Sequence, residues 1–140
     1  MTTLSPFHLA IPVYNLAECR DFYSNILNFK EGRSSNHWVD YNFFGHQLVI
    51  HYKEKSTKDE HTNAVDGKAV PVPHFGVVLP WSIFQDFAAL IASKGIDFII
   101  KPYIRFKGEI GEQATMFFKD PSGNALEFKA FKDMDQLFAK

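Results

Sequence analysis

An internal repeat constrains the fold of this chain more than any other feature of its sequence. The segment FHLAIPVYNLAECRDFYSNILNFKEG aligns with PHFGVVLPWSIFQDFAALIASKGIDF, so that His8 matches His74 and Asp21 matches Asp86. Further along, DYNFFGHQLVIH aligns with ATMFFKDPSGNALE through a shared pair of phenylalanines. The matched residues are 65 to 74 positions apart, and self-similarity of this kind indicates one structural unit that occurs twice.

Local signals within each half predict the order strand, helix and three strands. The segments FHLAIPV and HFGVVL are short, apolar and bounded by proline, as buried strands are. A capping-box spacing begins each helix, at Asn15 with Glu18 and at Ser82 with Gln85, and Gly95 is a helix stop. The letters DPSGN are typical of a tight turn between the last two strands. The sequence therefore predicts an α+β chain made of two βαβββ modules.

The length of 140 residues suits one domain, large enough to bury a core without disulfides. We expect module one over about 4–53, a polar and mobile connector over about 54–70, module two over about 71–131 and a tail over 132–140. The tail is compatible with a short amphipathic helix.

Charge and cysteine content exclude several classes of function. A net charge of -1 without blocks of like charge argues against nucleic acid as a partner. No apolar run approaches the roughly 20 residues of a membrane span, and the start lacks the pattern of a signal peptide. A single cysteine, Cys19, suits a reducing compartment, so we expect a cytoplasmic protein without disulfides.

The two matched histidines are candidate functional residues. Because alternate residues of a strand face opposite sides, His8 shares a face with Ala10, and His74 shares one with Gly76. A small residue two positions on predicts open space beside each imidazole. Taken singly, each histidine is also compatible with an ordinary hydrogen-bonded role, and it is their equivalence in the repeat that indicates a common site.

A second candidate pair lies near the ends of the two modules. His51 closes QLVIH and Glu127 closes NALE, at points that the alignment makes equivalent. A carboxylate that faces inward needs a positive partner, which a divalent metal ion can supply.

With these residues the sequence resembles the vicinal oxygen chelate superfamily, which includes glyoxalase I, extradiol dioxygenases, fosfomycin-resistance enzymes and bleomycin-resistance proteins. The resemblance covers nearly the whole chain, and FFKDPSGNALEF is its most specific part. It implies paired βαβββ modules whose strands form a curled mixed sheet around a metal and substrate cavity. It also implies that His8, His74 and Glu127 are metal ligands, with His51 at the fourth position.

Two histidines and one carboxylate suit Fe(II), the metal we favour, although Mn(II), Zn(II), Ni(II) and Co(II) accept the same ligands. Glyoxalase I proteins commonly carry glutamate at the fourth position, whereas this chain has His51. The imidazole of His51 is compatible with two roles, as a direct ligand and as a catalytic group that moves protons.

The segment KPYIRFKGEIGEQ, residues 101–113, lengthens the second module beside a predicted cavity strand. We expect it to form a rim that contacts substrate. Tyr103 is a candidate proton donor, Arg105 a candidate clamp for a carboxylate or enolate, and Lys107 and Gln113 are further candidate contacts. A solvated charged loop is the alternative.

Three classes of function fit these features. The first, which we favour, is a metal-dependent dioxygenase whose small-molecule substrate chelates the ion through two oxygens. The second is a redox-neutral isomerase, lyase or transferase, as in glyoxalase I or fosfomycin resistance. The third is a metal-free protein that sequesters an aromatic compound, as bleomycin-resistance proteins do. The resemblance also implies a homodimer.

Overall fold

The computed structural model describes residues 4–55, 61–65 and 67–140. Its strands are β1 (His8–Val13), β2 (Lys30–Ser34), β3 (Trp38–Phe43), β4 (His46–Tyr52), β5 (His61–Val65), β6 (Lys68–Val72), β7 (Phe98–Arg105), β8 (Gln113–Lys119) and β9 (Ala125–Phe131). Its helices are α1 (Leu16–Asp21), which continues as a π-helical turn (Phe22–Ile26), α2 (Trp81–Ser93) and a 3-10 turn (Met134–Gln136). The α+β class is confirmed.

The chain forms two compact units that correspond broadly to the two halves of the repeat. The first consists of Met1–Lys58 with Asp120–Asn124, and the second of Asp59–Lys119 with Ala125–Lys140. Among the described residues the strands form three separate sheets. The turn DPSGN, although it joins β8 to β9 of the second unit, belongs to the first.

The first unit is a four-stranded sheet in the order β1-β4-β3-β2 with α1 beside it. Strands β1 and β4 are parallel, and the other neighbours are antiparallel. The predicted cap of α1 is confirmed, because the Asn15 side chain accepts a hydrogen bond from the Glu18 N–H at 3.0 Å. Tyr23 and Tyr41 are buried in the core of this unit.

Asp120 holds the DPSGN turn within the first unit. Its carboxylate accepts a hydrogen bond from the Tyr23 hydroxyl at 2.8 Å and others from the Ser122 and Asn124 N–H groups, both at 2.9 Å. The Asn124 amide also donates to the Pro12 carbonyl at 2.7 Å. Burial raises the pKa of Asp120 above its ordinary range, although the hydrogen bonds oppose that rise. The turn predicted from the sequence is therefore confirmed.

The second unit contains the antiparallel sheet β7-β8-β9, the hairpin β5-β6 and α2. Its predicted first strand forms only two parallel bridges to β9, Phe75 to Leu126 and Val78 to Lys129. Helix α2 ends before Gly95, whose φ of 78° agrees with the predicted helix stop. The cap predicted at Ser82 is wrong: α2 begins one residue earlier, its N-cap is Pro80, and no side chain caps it.

The connector and the tail differ in part from the sequence expectation. Residues 56–60 and 66 of the connector, about a third of the predicted mobile segment, lie outside the described residues. The remainder contains β5 and reaches into β6, so part of the connector is regular structure. The tail forms only one 3-10 turn. No helix in the described part of the chain is long and apolar enough to cross a membrane.

Candidate functional site

The structure places His74 and Glu127 side by side in the second unit. The imidazole Nε2 lies 3.1 Å from Glu127 Oε2. Backbone hydrogen bonds position both residues, since the Glu127 N–H donates to the Phe75 carbonyl at 2.8 Å and the Phe75 N–H donates to the Ala125 carbonyl at 3.1 Å. The two side chains thus extend from directly bonded segments that are about 50 residues apart in sequence.

Gly76 makes this approach possible, and its role differs from the sequence expectation. A Cβ atom added at Gly76 would lie 1.5 Å from the Glu127 carbonyl oxygen. The space beside Gly76 is therefore filled by the backbone of β9. The expectation that a small residue at position 76 leaves open space next to His74 is wrong. Glycine is required because only hydrogen fits between the two backbones.

The orientation of His74 is set by its other ring nitrogen. Nδ1 lies 2.7 Å from the Pro71 carbonyl oxygen, which can only accept a hydrogen bond. Nδ1 must therefore carry a proton. In the neutral ring the lone pair then lies on Nε2, whereas in a charged ring Nε2 also carries a proton and donates it to Glu127 Oε2, 3.1 Å away. The ring of Phe117 packs edge-on against the imidazole, with centroids 4.7 Å apart.

Glu127 has its two oxygens in different surroundings. Oε1 accepts a hydrogen bond from the Thr115 hydroxyl at 3.1 Å and lies 3.3 Å from the Lys129 ammonium. Oε2 faces His74. Lys129 lies two residues after Glu127 and so shares its face by strand parity. Sequence reasoning missed Thr115, which the register of β8 with β9 sets directly opposite Lys129. Counting back from the DPSGN turn identifies that pairing.

In the first unit, His8 lies beside a residue that sequence reasoning also missed. Its Nδ1 is 2.8 Å from the Gln47 side-chain oxygen, because β1 and β4 pair His8 with Gln47 in parallel register. The signal for Gln47 was present in the sequence, since it lies four residues before His51 on the same strand face. His8 itself is exposed.

His51 does not occupy the position that the repeat alignment assigned to it. The register pairs His51 with Pro12, four residues beyond His8, which is about 13 Å along the strand. In the second unit Glu127 lies opposite Gly76. The repeat matches Gly76 to Ala10, and in the first unit the residue opposite Ala10 is Val49. The structural counterpart of Glu127 is therefore Val49, and the alignment of His51 with Glu127 is wrong by two residues.

The four rim candidates lie around the β7–β8 hairpin. The register sets Tyr103 opposite Thr115 and Arg105 opposite Gln113, so Tyr103, Arg105 and Gln113 share the sheet face of Glu127. Arg105 stacks over the Phe106 ring, 5.1 Å from its centroid. Lys107 follows β7, and together with Tyr103 it lines a cavity of about 430 Å³ whose other walls include α2 and Ala114, while neither His74 nor Glu127 lines it. The alternative, a solvated charged loop, can therefore apply only to residues 106–112 between the two strands.

The His74–Glu127 pair has the donor atoms of two metal ligands, at a separation that suits either a shared ion or a direct hydrogen bond between them. Two atoms that are each about 2.1 Å from one ion, at a right angle, lie about 3 Å apart, and the observed separation is 3.1 Å. A carbonyl that holds the remote N–H of a histidine is the usual outer partner of a metal-bound imidazole. Among the described residues no group of three or more His, Cys, Asp or Glu side chains could hold an ion. The addition of His8 to the pair stays a prediction.

Comparison with known proteins agrees with this fold. A model of the glyoxalase/bleomycin resistance protein/dioxygenase superfamily matches residues 5–128. A glyoxalase/bleomycin resistance protein/dioxygenase from Alicyclobacillus acidocaldarius is 34% identical, with a TM-score of 0.78 and coverage of 96% of each chain. No curated protein matches.

More distant solved structures share the fold alone. A fosfomycin resistance protein from Listeria monocytogenes is 20% identical, with a TM-score of 0.65 over 97% of this chain and 98% of that one. A glyoxalase/dioxygenase from Nostoc punctiforme is 18% identical, with a TM-score of 0.67 over 95% and 99%.

Proposed function

Because the chain belongs to the glyoxalase/bleomycin resistance protein/dioxygenase superfamily, we propose that it is a metal-dependent enzyme, and specifically a dioxygenase of a small molecule that chelates the ion through two oxygens. The observation that carries the proposal is the His74–Glu127 pair, with Nε2 and Oε2 3.1 Å apart and Nδ1 held by the Pro71 carbonyl. A metal-free binding protein has no need of a lone pair and a carboxylate held in this way.

The proposed ligands are His74 Nε2, Glu127 Oε2 and His8, with His51 as the predicted fourth. Fe(II) is the favoured metal because two histidines and a carboxylate leave open positions that suit it. When bound, such an ion supplies Lewis acidity and redox chemistry. Support for His51 rests on the family resemblance alone.

The chain's own residues have roles on either side of the ion. Thr115 and Lys129 hold Glu127 Oε1, so Oε2 stays directed toward His74. Tyr103, on the Glu127 face, is a proton donor for a substrate oxygen, and Arg105 binds an anionic group of the substrate. Lys107 and Gln113 complete the substrate contacts in this proposal.

Metal analysis of protein purified without oxygen, followed by an oxygen-uptake screen with catechols, tests the function. Stoichiometric iron with uptake supports a dioxygenase. A stoichiometric redox-inert metal without uptake supports the isomerase or transferase class instead. Substoichiometric metal at every loading supports the metal-free binding protein and overturns the proposal.

Variants test the ligands separately from the activity. Glu127→Gln and His74→Gln should each lose stoichiometric metal. Glu54→Gln and His37→Gln, which make the same changes at exposed positions, should retain it. Full metal content in both site variants would contradict the assignment.

Assembly and location belong to the same proposal. We expect a homodimer, because superfamily members of this size commonly pair, and light scattering at micromolar concentration measures it. A monomeric mass would contradict this expectation. The single thiol suits the cytoplasm, which cell fractionation can test.

A further inference from the structure

A chain of polar side chains crosses the first unit and ends at His8. His8 Nδ1 lies 2.8 Å from Gln47 Oε1, and Gln47 Nε2 donates to Asp40 Oδ2 at 3.4 Å. The guanidinium Nε of Arg33 is 3.8 Å from the same Asp40 oxygen. The chain thus links β1, β4, β3 and β2 in their order within the sheet.

The strand register places these side chains on one face. His8 pairs with Gln47, and Gln47 in turn pairs with Asn42, two residues from Asp40. Directly paired residues and residues two apart share a sheet face, so His8, Gln47 and Asp40 extend to the same side. The Asp40 side chain is only 13% exposed, whereas that of Arg33 is 85% exposed. Asp40 is therefore the more restricted member, and Arg33 lies beside it as an exposed partner of opposite charge.

The Asp40 carboxylate determines the direction of the hydrogen bonds that link it through Gln47 to His8. Asp40 can only accept, so it must face the amide nitrogen of Gln47. The amide oxygen of Gln47 is then directed toward His8 and can only accept as well. Nδ1 of His8 must donate, which leaves the lone pair of the neutral ring on Nε2.

The same restraint is present at His74 but comes from a different source. There the acceptor for Nδ1 is the backbone carbonyl of Pro71. We propose that Gln47 and Asp40 are positioning residues that hold His8 in the Nδ1–H tautomer with Nε2 ready to bind a metal ion. The repeated modules thus preset both imidazoles alike, one through the backbone and the other through a side-chain relay. The inference rests on the proposed function for its metal-binding purpose, but not for the tautomer itself.

The tautomer can be measured directly. Long-range ¹H–¹⁵N spectra of histidine-labelled protein at about pH 8, above the ordinary imidazole pKa of about 6.5, separate the two neutral tautomers. A His8→Gln variant assigns the His8 signals. Wild-type His8 should show Nδ1–H. Gln47→Leu should move His8 toward Nε2–H, the form that a solvated histidine side chain prefers, while Gln47→Glu, which keeps an acceptor, should restore Nδ1–H.

Metal affinity supplies the second readout. Competition with a chelator for Zn²⁺ or Mn²⁺ should show a 10- to 100-fold weaker affinity in Gln47→Leu, the usual effect of removing a ligand's hydrogen-bond partner. Asp40→Asn should give a mixed tautomer, because the amide of Gln47 can then turn over. Gln85→Leu, the same change on an exposed face of α2, is the matched control and should alter neither readout.

The outcomes separate the inference from the proposed function. If His8 in Gln47→Leu keeps Nδ1–H, the positioning role is wrong, whatever the metal affinity. If the tautomer changes but the affinity stays at the wild-type value, the metal-binding purpose is wrong. Failure of the wild type to bind metal overturns the proposed function, while the tautomer still decides the role of Gln47. His74 should keep its tautomer throughout, and Gln47→Met replaces Gln47→Leu if that variant does not fold.

Discussion

Replacing Gly76 with alanine is the sharpest test of how the second unit brings His74 to Glu127. The new Cβ would lie 1.5 Å from the Glu127 carbonyl oxygen and 2.6 Å from its carbon, distances that no side-chain adjustment can relieve because both atoms are backbone. Restoring ordinary contact requires the segments to separate by about 1.5 Å or more.

The expected cost follows from the hydrogen bonds that this separation breaks. The bonds from the Glu127 N–H to the Phe75 carbonyl, at 2.8 Å, and from the Phe75 N–H to the Ala125 carbonyl, at 3.1 Å, would both exceed hydrogen-bonding distance. Two such bonds contribute about 1–3 kcal/mol, and their buried groups cost more if left without partners. We expect Gly76→Ala to lower the free energy of unfolding by about 3 kcal/mol, which lowers Tm by about 10 °C.

Thermal unfolding by circular dichroism measures this effect, and Gly32→Ala is the matched control. At Gly32 the nearest atom to an added Cβ is the Asp40 Cβ at 3.3 Å, which a small shift can accommodate. Its cost should stay within about 1 kcal/mol, since alanine also lowers the entropy of the unfolded chain. The reasoning is refuted if the two variants melt within about 2 °C of each other. Gly76→Ala should also weaken metal binding, because Glu127 moves relative to His74.

Three further predictions concern other parts of the molecule. Asp120→Asn should lower the free energy of unfolding by about 1–3 kcal/mol, because an NH2 group, which donates, replaces one of two carboxylate oxygens that both accept hydrogen bonds. Denaturant titration measures this change. Burial raises the folded-state pKa of Asp120, so the free energy of unfolding should fall as the pH rises through that pKa and Asp120 ionises. Asp120→Asn should abolish this pH dependence, and a variant with the wild-type pH profile would contradict the argument. Burial also raises the pKa of Cys19 to about 11, so a thiol reagent at neutral pH should label it only after unfolding, and rapid labelling of native protein would refute this. His51→Gln should weaken metal binding if His51 is a ligand, or keep the metal and lose about 10²- to 10⁴-fold in turnover if His51 moves protons. If neither metal binding nor turnover changes, His51 lies outside the site. His74→Gln is the control, which should lose metal in both cases.

Short-range patterns in the sequence were sufficient for the class, the order of elements and several ends. The Asn15 cap, the stop at Gly95 and the turn of residues 120–124 each depend on neighbours within a few residues, and each is confirmed. The repeat and strand parity singled out His74, whereas the assignment of His74 and Glu127 as metal ligands came from the family resemblance. The family resemblance then agreed with the match over residues 5–128.

Only the tertiary structure decided the longitudinal register of the strands. Parity tells which face a side chain occupies, but it cannot distinguish Val49 from His51, because the two lie on one face and differ only by a shift of two residues. Register depends on hydrogen bonds between segments that are far apart in sequence, and those bonds determine that Gln47 meets His8. The same long-range pairing explains why Gly76 is glycine: the reason is a backbone contact with Glu127 that no local pattern encodes.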